Sequence, residues 1–328
     1  MHPGGAGDAA GQMGREETPV STVQSERARQ LLPSEVQTEP RFSVRDYAIL
    51  LKPRVMSLVV FTGFVGLMLA PAPVDPIIGI IAVVCIAIGA GAAGAINMWY
   101  DRDIDREMVR TMNRPIPAGR LHPGAALAFG SILAVASVAT MALAVNGTAA
   151  ALLALTIVYY VFLYTIWLKR RTPYNIVIGG AAGAFPPMIG WAAATGDIGL
   201  GALSLFAIIF LWTPPHSWAL ALFRRADYDR AGVPMLPVVA GDRATRRQIL
   251  AYTAVLVPAT LLPVAVGLSG AFYAAAVVLL NIGLVTHAIK VWRDEGMATA
   301  RSMFFYTILY LFLLFGALLV DRALQSLL

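Results

Sequence analysis

The sequence predicts an all-helical protein that crosses a membrane many times, and three observations carry that prediction. Hydrophobic residues fill 58% of the 328 positions and charged residues only 13%, which is far too apolar for a soluble domain of this length. The apolar residues fall into runs of about 20, the length that spans ~30 Å of hydrocarbon at ~1.5 Å per helical residue. These runs carry Leu, Val, Ala, Ile and Gly without the alternation of outer-membrane strands, so the expected spanning elements are helices. The one cysteine, Cys85, lies inside an apolar run, which excludes a disulfide framework and a thiolate metal site. The net charge of +6 comes from basic residues in short loops, where they orient the chain and meet headgroups. The expected partner surface is therefore the lipid bilayer and not nucleic acid.

Residues 1–44 are polar and hold no apolar segment long enough for a signal sequence or a span, so a disordered tail is expected ahead of a membrane domain over 45–328. Asp8, Glu16, Glu17, Glu26, Glu35 and Glu39 argue against a mitochondrial transit peptide and for a bacterial protein. An amphipathic lead-in from Arg45 ends at Lys52-Pro53-Arg54, and the first apolar run follows to about residue 70. Eight more runs lie at about 76–97, 124–145, 149–167, 174–195, 199–222, 248–268, 271–290 and 303–324, giving nine expected transmembrane helices. The tail and the loops after the second, fourth, sixth and eighth runs hold 24 of the 25 Lys and Arg residues, the last being Arg322. The positive-inside rule then places a multi-pass protein in a bacterial cytoplasmic (inner) membrane, with its N-terminus and those loops cytoplasmic and its C-terminus outside. The opposite connections are short turns, so chemistry is expected at the cytoplasmic end.

The second run closes on Asn97-Met98-Trp99-Tyr100-Asp101-Arg102-Asp103-Ile104-Asp105-Arg106. If the helix continues, Asn97, Asp101 and Asp105 stack on one face, with a drift of roughly 40° per step. Carboxylates four apart repel each other, so the stripe makes sense when a cation sits among its oxygens. Arg110, Arg114 and Arg120 follow, a pattern that points to magnesium holding a phosphate ester. The alternative is an ordinary charged helix end in which Arg102 and Arg106 pair with Asp103 and Asp105. A second acidic stretch, Asp227-Tyr228-Asp229-Arg230, closes the sixth run on the same side. Two such clusters, four spans apart, hint at an internal repeat and at two or three magnesium ions gripping a diphosphate.

The Asn97–Asp101–Asp105 spacing with Arg110-Thr111-Met112-Asn113-Arg114-Pro115, Lys169 through Gly180, Gly183-Ala184-Phe185-Pro186-Pro187, Trp212 through Trp218, and Asp227-Tyr228 with Ala231 through Pro237 are five separate stretches. Together they resemble the intramembrane aromatic prenyltransferase superfamily, and among its members the heme-farnesylating branch. The resemblance covers roughly residues 45–325. Ala231 stands where a second Asp is common in the superfamily, and Ser217 stands where an aromatic residue often follows the Pro-His pair.

The resemblance implies a nine-helix fold around a central chamber that opens to the cytoplasmic side. It implies magnesium-dependent transfer of a farnesyl group from farnesyl diphosphate to a vinyl carbon of heme B, with water adding to give heme O. Heme biosynthesis for a heme-copper oxidase would be the context, with heme A synthase as a downstream partner. Asn97, Asp101, Asp105 and Asp227 would hold Mg2+, with Asp101, Asp105 and Asp227 catalytic. Arg110, Arg114, Lys169, Arg170 and Arg230 would contact diphosphate or heme propionates. Gly179, Gly180, Gly183 and Gly190 would leave room between helices for the prenyl chain. His216, in a span after two prolines, is an expensive residue to place there and would ligate heme or orient it. Its alternative role is an interhelical hydrogen bond. Two other functions stay open: a quinone-type prenyltransferase, and an ion-coupled transporter, which would place its acids at mid-membrane instead of at one edge.

Overall fold

The computed structural model describes residues 43–294 and 296–327, so the expected tail lies almost wholly outside the described residues. Among these residues every regular element is helical. The helices are α1 (Val44–Leu50), α2 (Pro53–Leu69), α3 (Pro76–Tyr100), α4 (Arg102–Glu107), α5 (Pro123–Ala144), α6 (Gly147–Leu168) and α7 (Asn175–Thr195). They continue with α8 (Leu200–Phe223), α9 (Arg225–Arg230), α10 (Leu236–Val239), α11 (Gly241–Ala265), α12 (Ala271–Arg293) and α13 (Met297–Leu327). Eight of these are long and apolar enough to span a bilayer, and α1 with α2, bent by 53°, supplies a ninth. Each of the nine expected apolar runs is therefore helical among the described residues, the first as the bent pair α1 and α2.

Starts of several spans are written in the sequence. Pro at the first helical position and an acceptor just before it open α3, where Asp75 caps Ile77 and Ile78, and α5, where His122 caps Gly124. Two boundaries differ from the apolar runs. Helix α11 begins at Gly241, seven residues before the expected run at 248, so Arg243, Arg246 and Arg247 lie on a helix and not in a loop. Arg246 is buried there and donates to the Val291 carbonyl at 2.6 Å and to that of Asp294, closing the end of α12. Helix α13 starts at Met297, six residues ahead of the expected 303.

The spans form a closed ring in which neighbours in sequence pack together and α13 returns against α2. Helix α7, between α6 and α8 in that ring, also packs on α2, and among the candidate spans it is the one most buried within the protein. Its crossing with α2 is backbone on backbone. A β-carbon on Gly66 would land on the Pro187 backbone, and one on Gly190 on the Gly63 carbonyl. Membrane helices gain most from such close approach, because van der Waals contact replaces the missing hydrophobic drive. The last ten residues of α6, Tyr159–Leu168, are widened into a π-helix, which ends with Lys169 N–H donating to the Tyr164 carbonyl at 2.9 Å. This widening sets which α6 side chains face inward.

Gly190→Ala is expected to push α2 and α7 apart at a cost of about 1–3 kcal/mol, while Gly316→Ala, with no atom within 4 Å of the new methyl, is expected to be neutral. Thermal unfolding of both variants in detergent checks this. Equal melting of the two would contradict the tight crossing.

Candidate active site

The acidic stripe survives, but not as one continuous helix. Helix α3 ends at Tyr100 and α4 begins at Arg102, with Asp101 as the joint at φ −83° and ψ 6°. Asp101 N–H still donates to the Asn97 carbonyl at 2.9 Å and Asp105 N–H to that of Asp101 at 2.8 Å. The four-residue spacing is therefore kept through the joint, and Asn97, Asp101 and Asp105 are all buried. Asn97 Nδ2 donates to Asp101 Oδ2 at 2.6 Å and to Thr165 Oγ1 at 3.2 Å, while Lys52 Nζ donates to Asn97 Oδ1 at 2.8 Å.

Each carboxylate has its own cation, because a buried charge without a counter-charge costs several kcal/mol. Lys169 Nζ is paired with Asp101 Oδ2, and Arg170 lies 3.7 Å from Asp101 Oδ1. Arg114 Nη1 donates to Asp105 Oδ2 at 2.6 Å. Arg170 grips Asp103 with two bonds of 2.7 Å, and this pairing holds the Asp103 carboxyl below its usual range. A depressed carboxyl stabilises the fold while ionised, so this contribution is whole above the unfolded value of 3.8 and fades as pH falls through the lower folded one. The alternative pairing within the helix end does not occur: Arg102 donates to the Trp99 carbonyl at 2.8 Å, and Asp103 and Asp105 look to other elements.

The second acidic stretch has a parallel build. Helix α9, like α4, is a six-residue helix following a long span. Asp227 is buried, with Arg230 at 3.2 Å and Arg224 at 3.9 Å, whereas Asp229 is exposed. Ile104 and Met108 beside the stripe share an apolar cluster with Ala221, Val233 and Met235 beside Asp227, so the two acidic segments pack on one another. The expected cage of Asn97, Asp101, Asp105 and Asp227 is nevertheless not assembled. Among the described residues no three Asp, Glu, His or Cys side chains gather closely enough to hold a metal, since each carboxylate is turned to its own Arg or Lys. Arg110 is exposed and takes part in no ion pair among the described residues. The donor set still fits a hard divalent cation. It is all oxygen, and Asp101 Oδ1 is buried with no hydrogen-bond partner.

Beside this end lies a chamber of about 440 Å3, walled by Tyr160, Tyr164, Gly179, Gly180, Trp212 and His216 among others. A narrower cavity of about 200 Å3 shares Val55, Val59, Tyr160 and Gly183 with it and is otherwise nearly all apolar. Of the expected spacer glycines, Gly179, Gly180 and Gly183 line the chamber, while Gly190 serves the helix crossing instead. A larger groove of about 730 Å3 at the Pro71–Pro76 turn carries no acidic residue.

His216 lines the chamber, but both ring faces are covered, by Trp212 at 4.3 Å and by Phe304 at 4.6 Å. Its Nδ1 is 2.8 Å from Thr307 Oγ1 on α13. The interhelical hydrogen bond is thus the role observed, and stacking of a flat ligand on the imidazole is blocked. Only the ring edge is left for a ligand.

Comparison with known proteins settles the family. The model of the UbiA prenyltransferase family matches residues 59–309. The chain belongs to the UbiA prenyltransferase family. Protoheme IX farnesyltransferase from Parvibaculum lavamentivorans is 58% identical over 286 residues, covering 86% of this chain and 90% of that protein. The enzyme of the same name from Granulibacter bethesdensis is 55% identical over 300 residues, covering 89% and 95%. This UbiA-family chain is therefore an enzyme, a prenyltransferase and a relative of the protoheme IX farnesyltransferases. In fold it is similar to a digeranylgeranylglyceryl phosphate synthase, with a TM-score of 0.71 at 17% identity over 84% of this chain and 97% of that one. It is also similar to a UbiA homolog from Archaeoglobus fulgidus, solved bound to GPP and Mg2+, with a TM-score of 0.58 at 15% identity over 83% and 99%.

Lys52, Thr165, Tyr160 and Tyr164 are site residues that sequence reasoning passed over. Thr165 had a signal, being one helical turn before Lys169. Lys169→Met leaves the fully buried Asp101 with Arg170 at 3.7 Å as its remaining cation, so breaking the pair is expected to cost about 3 kcal/mol. In chelator its melting temperature should fall by several degrees, and millimolar magnesium should restore much of the loss. A wild-type melt in chelator would contradict the pairing.

Proposed function

We propose that the chain catalyses transfer of a farnesyl group from farnesyl diphosphate to a vinyl carbon of heme B, giving heme O and diphosphate, as its relatives' name implies. The observation that carries the reading is the buried stripe of Asn97, Asp101 and Asp105, whose partner Thr165 adjoins Tyr164 in the wall of an apolar chamber. Magnesium held by these residues and Asp227 would supply positive charge to the leaving diphosphate as its C–O bond breaks. Lys169, Arg170, Arg114 and Arg230, now turned to carboxylates, would turn in part to phosphate oxygens, with Arg110 at the rim. Such contacts accelerate the reaction because the leaving group gains charge only as the bond breaks.

The narrower cavity suits an isoprenoid chain, and the larger chamber suits a flat apolar acceptor. Tyr160 lines both spaces and Tyr164, with its ring centroid 5.3 Å away, lines the larger one, and their π faces would favour an allylic cation. Their walls keep water from the cation until the new C–C bond forms, after which one water completes the hydroxyethylfarnesyl group and loses a proton. The UbiA homolog bound to GPP and Mg2+ supports the donor and metal assignments. A quinone-type acceptor is the second reading, since the chamber lining is largely apolar. The positive loops support an inner-membrane location with a cytoplasmic active end, and heme A synthase would take the product onward.

Asp101→Asn and Asp105→Asn are each expected to abolish heme O formation from heme B and farnesyl diphosphate at low millimolar magnesium, with the protein still folded. Chelation should do the same to the wild type. Retained turnover in either variant would remove these residues from the metal site.

Thiol labelling tests orientation independently. Cysteines at Asp197 and Ala271 should react with an impermeant reagent from outside intact cells, and those at Ala118 and Ala240 should not. The reverse pattern would put the acidic end outside.

His216→Ala separates two roles for the imidazole. If the ring edge meets heme, the Soret band shifts and heme binding weakens, whereas Thr307→Val changes only the melt, by about 1 kcal/mol. Unshifted spectra in both variants would leave His216 a packing residue.

A further inference from the structure

The chamber next to the acidic stripe, on the far side of Tyr164 and Thr165, has one charged residue, Arg54, among its lining side chains. Arg54 follows Lys52 and Pro53 at the start of α2 and is exposed. Of the basic residues around the site, Arg110 is likewise exposed and without an ion pair among the described residues, but Arg54 alone of them lines the chamber. Arg114, Lys169, Arg170, Arg224 and Arg230 each pair with a carboxylate, and Lys52 donates to Asn97. Arg54 has no side-chain hydrogen bond or ion pair among the described residues. No Asp or Glu lines the chamber, so nothing in its wall offsets the guanidinium. The remainder of the lining is aromatic, aliphatic or hydroxyl-bearing, with Tyr160, Thr213, His216 and Phe304 among its members. A chamber with apolar walls and one uncompensated cation matches a ligand that is flat and apolar over most of its area and carries an anionic group at its edge.

We propose that Arg54 binds a carboxylate side chain of the acceptor and thereby fixes which edge of the macrocycle turns toward the acidic stripe. The proposal rests on the heme reading above. The donor's diphosphate is a poorer occupant for Arg54, because that anion is served by the stripe and its cluster of Lys and Arg. A guanidinium recognises a carboxylate through two parallel bonds, which fixes orientation as well as affinity, and Lys reproduces the charge but not the fork. Esterifying the carboxylate removes the negative charge and leaves the ring system intact.

The test uses the full-length enzyme in detergent, with heme B and its propionate dimethyl ester as acceptors and farnesyl diphosphate as donor. The wild type is expected to favour heme B over the diester by about tenfold in KM, the value of one charge-assisted hydrogen bond. Arg54→Gln should raise KM for heme B about tenfold, leave KM for farnesyl diphosphate unchanged, and treat heme B and diester alike. Arg54→Lys should recover part of the preference. The wild-type comparison requires no variant to fold. An active wild type that does not distinguish the diester overturns the assignment of Arg54 and leaves heme farnesylation standing. A rise confined to KM for farnesyl diphosphate in Arg54→Gln overturns it in favour of the donor. A wild type that prenylates neither heme overturns the acceptor reading itself, and this proposal with it.

Discussion

Asp101 is fully buried at a break between helices, and the charged end of the protein is built around giving it counter-charge. A carboxylate in such a place costs several kcal/mol unless it is paired and hydrogen-bonded. Asn97 donates to it from one turn earlier, and Lys169 reaches it from the end of α6. The position of Lys169 depends on the π-helical widening of Tyr159–Leu168, because each residue added or removed there turns the following side chain by ~100°. The same widening faces Tyr160 and Tyr164 to the chamber and Thr165 to Asn97. One irregular stretch of α6 thus sets the charged stripe and the chamber wall together.

The two compartments have opposite physical requirements. The stripe has to hold charge at the bilayer edge, where loops supply Arg and Lys at little desolvation cost. The chamber has to be dry, and its walls are formed where α2, α6, α7, α8 and α13 come together, next to the backbone crossing of α2 and α7. Gly66 and Gly190 permit that contact, and the neighbouring glycines Gly179, Gly180 and Gly183 line the space next to it. Of these three only Gly183 has open space at its β position, whereas Gly179 abuts the Tyr164 ring and Gly180 abuts Thr213, so most of the glycines of α7 serve close packing.

How much of this was legible depended on sequence distance. Spans were legible because hydropathy is a local property, and the stripe was legible because a four-residue spacing implies one helical face. The start of α11 was not, since Arg246 is drawn into the helix by carbonyls 45 and 48 positions away. Lys169 was expected at a phosphate and is found on Asp101, a partner 68 residues distant. The Thr307 partner of His216 lies 91 residues away, so the sequence posed two roles for the imidazole and only the folded chain showed which contact it makes. The carboxylates are found on Lys and Arg for a related reason: carboxylates chosen by type and spacing also attract the nearest basic side chain, and type and spacing do not say which partner wins.

The distribution of charge also separates prenyl transfer from ion coupling. A coupled transporter carries its ionisable ligands at mid-membrane, between broken helices. Here Asp101, Asp105 and Asp227 all sit at the ends of spans, and no acidic residue lines the adjoining chamber. Charge at the edge with aromatic walls within is a poor path for an ion, but it matches a reaction that separates charge in one direction. In the proposed reaction the anion would leave toward the Arg and Lys residues, and the allylic cation would be left beside Tyr160 and Tyr164. Each half of the developing dipole would then meet an environment that lowers its energy.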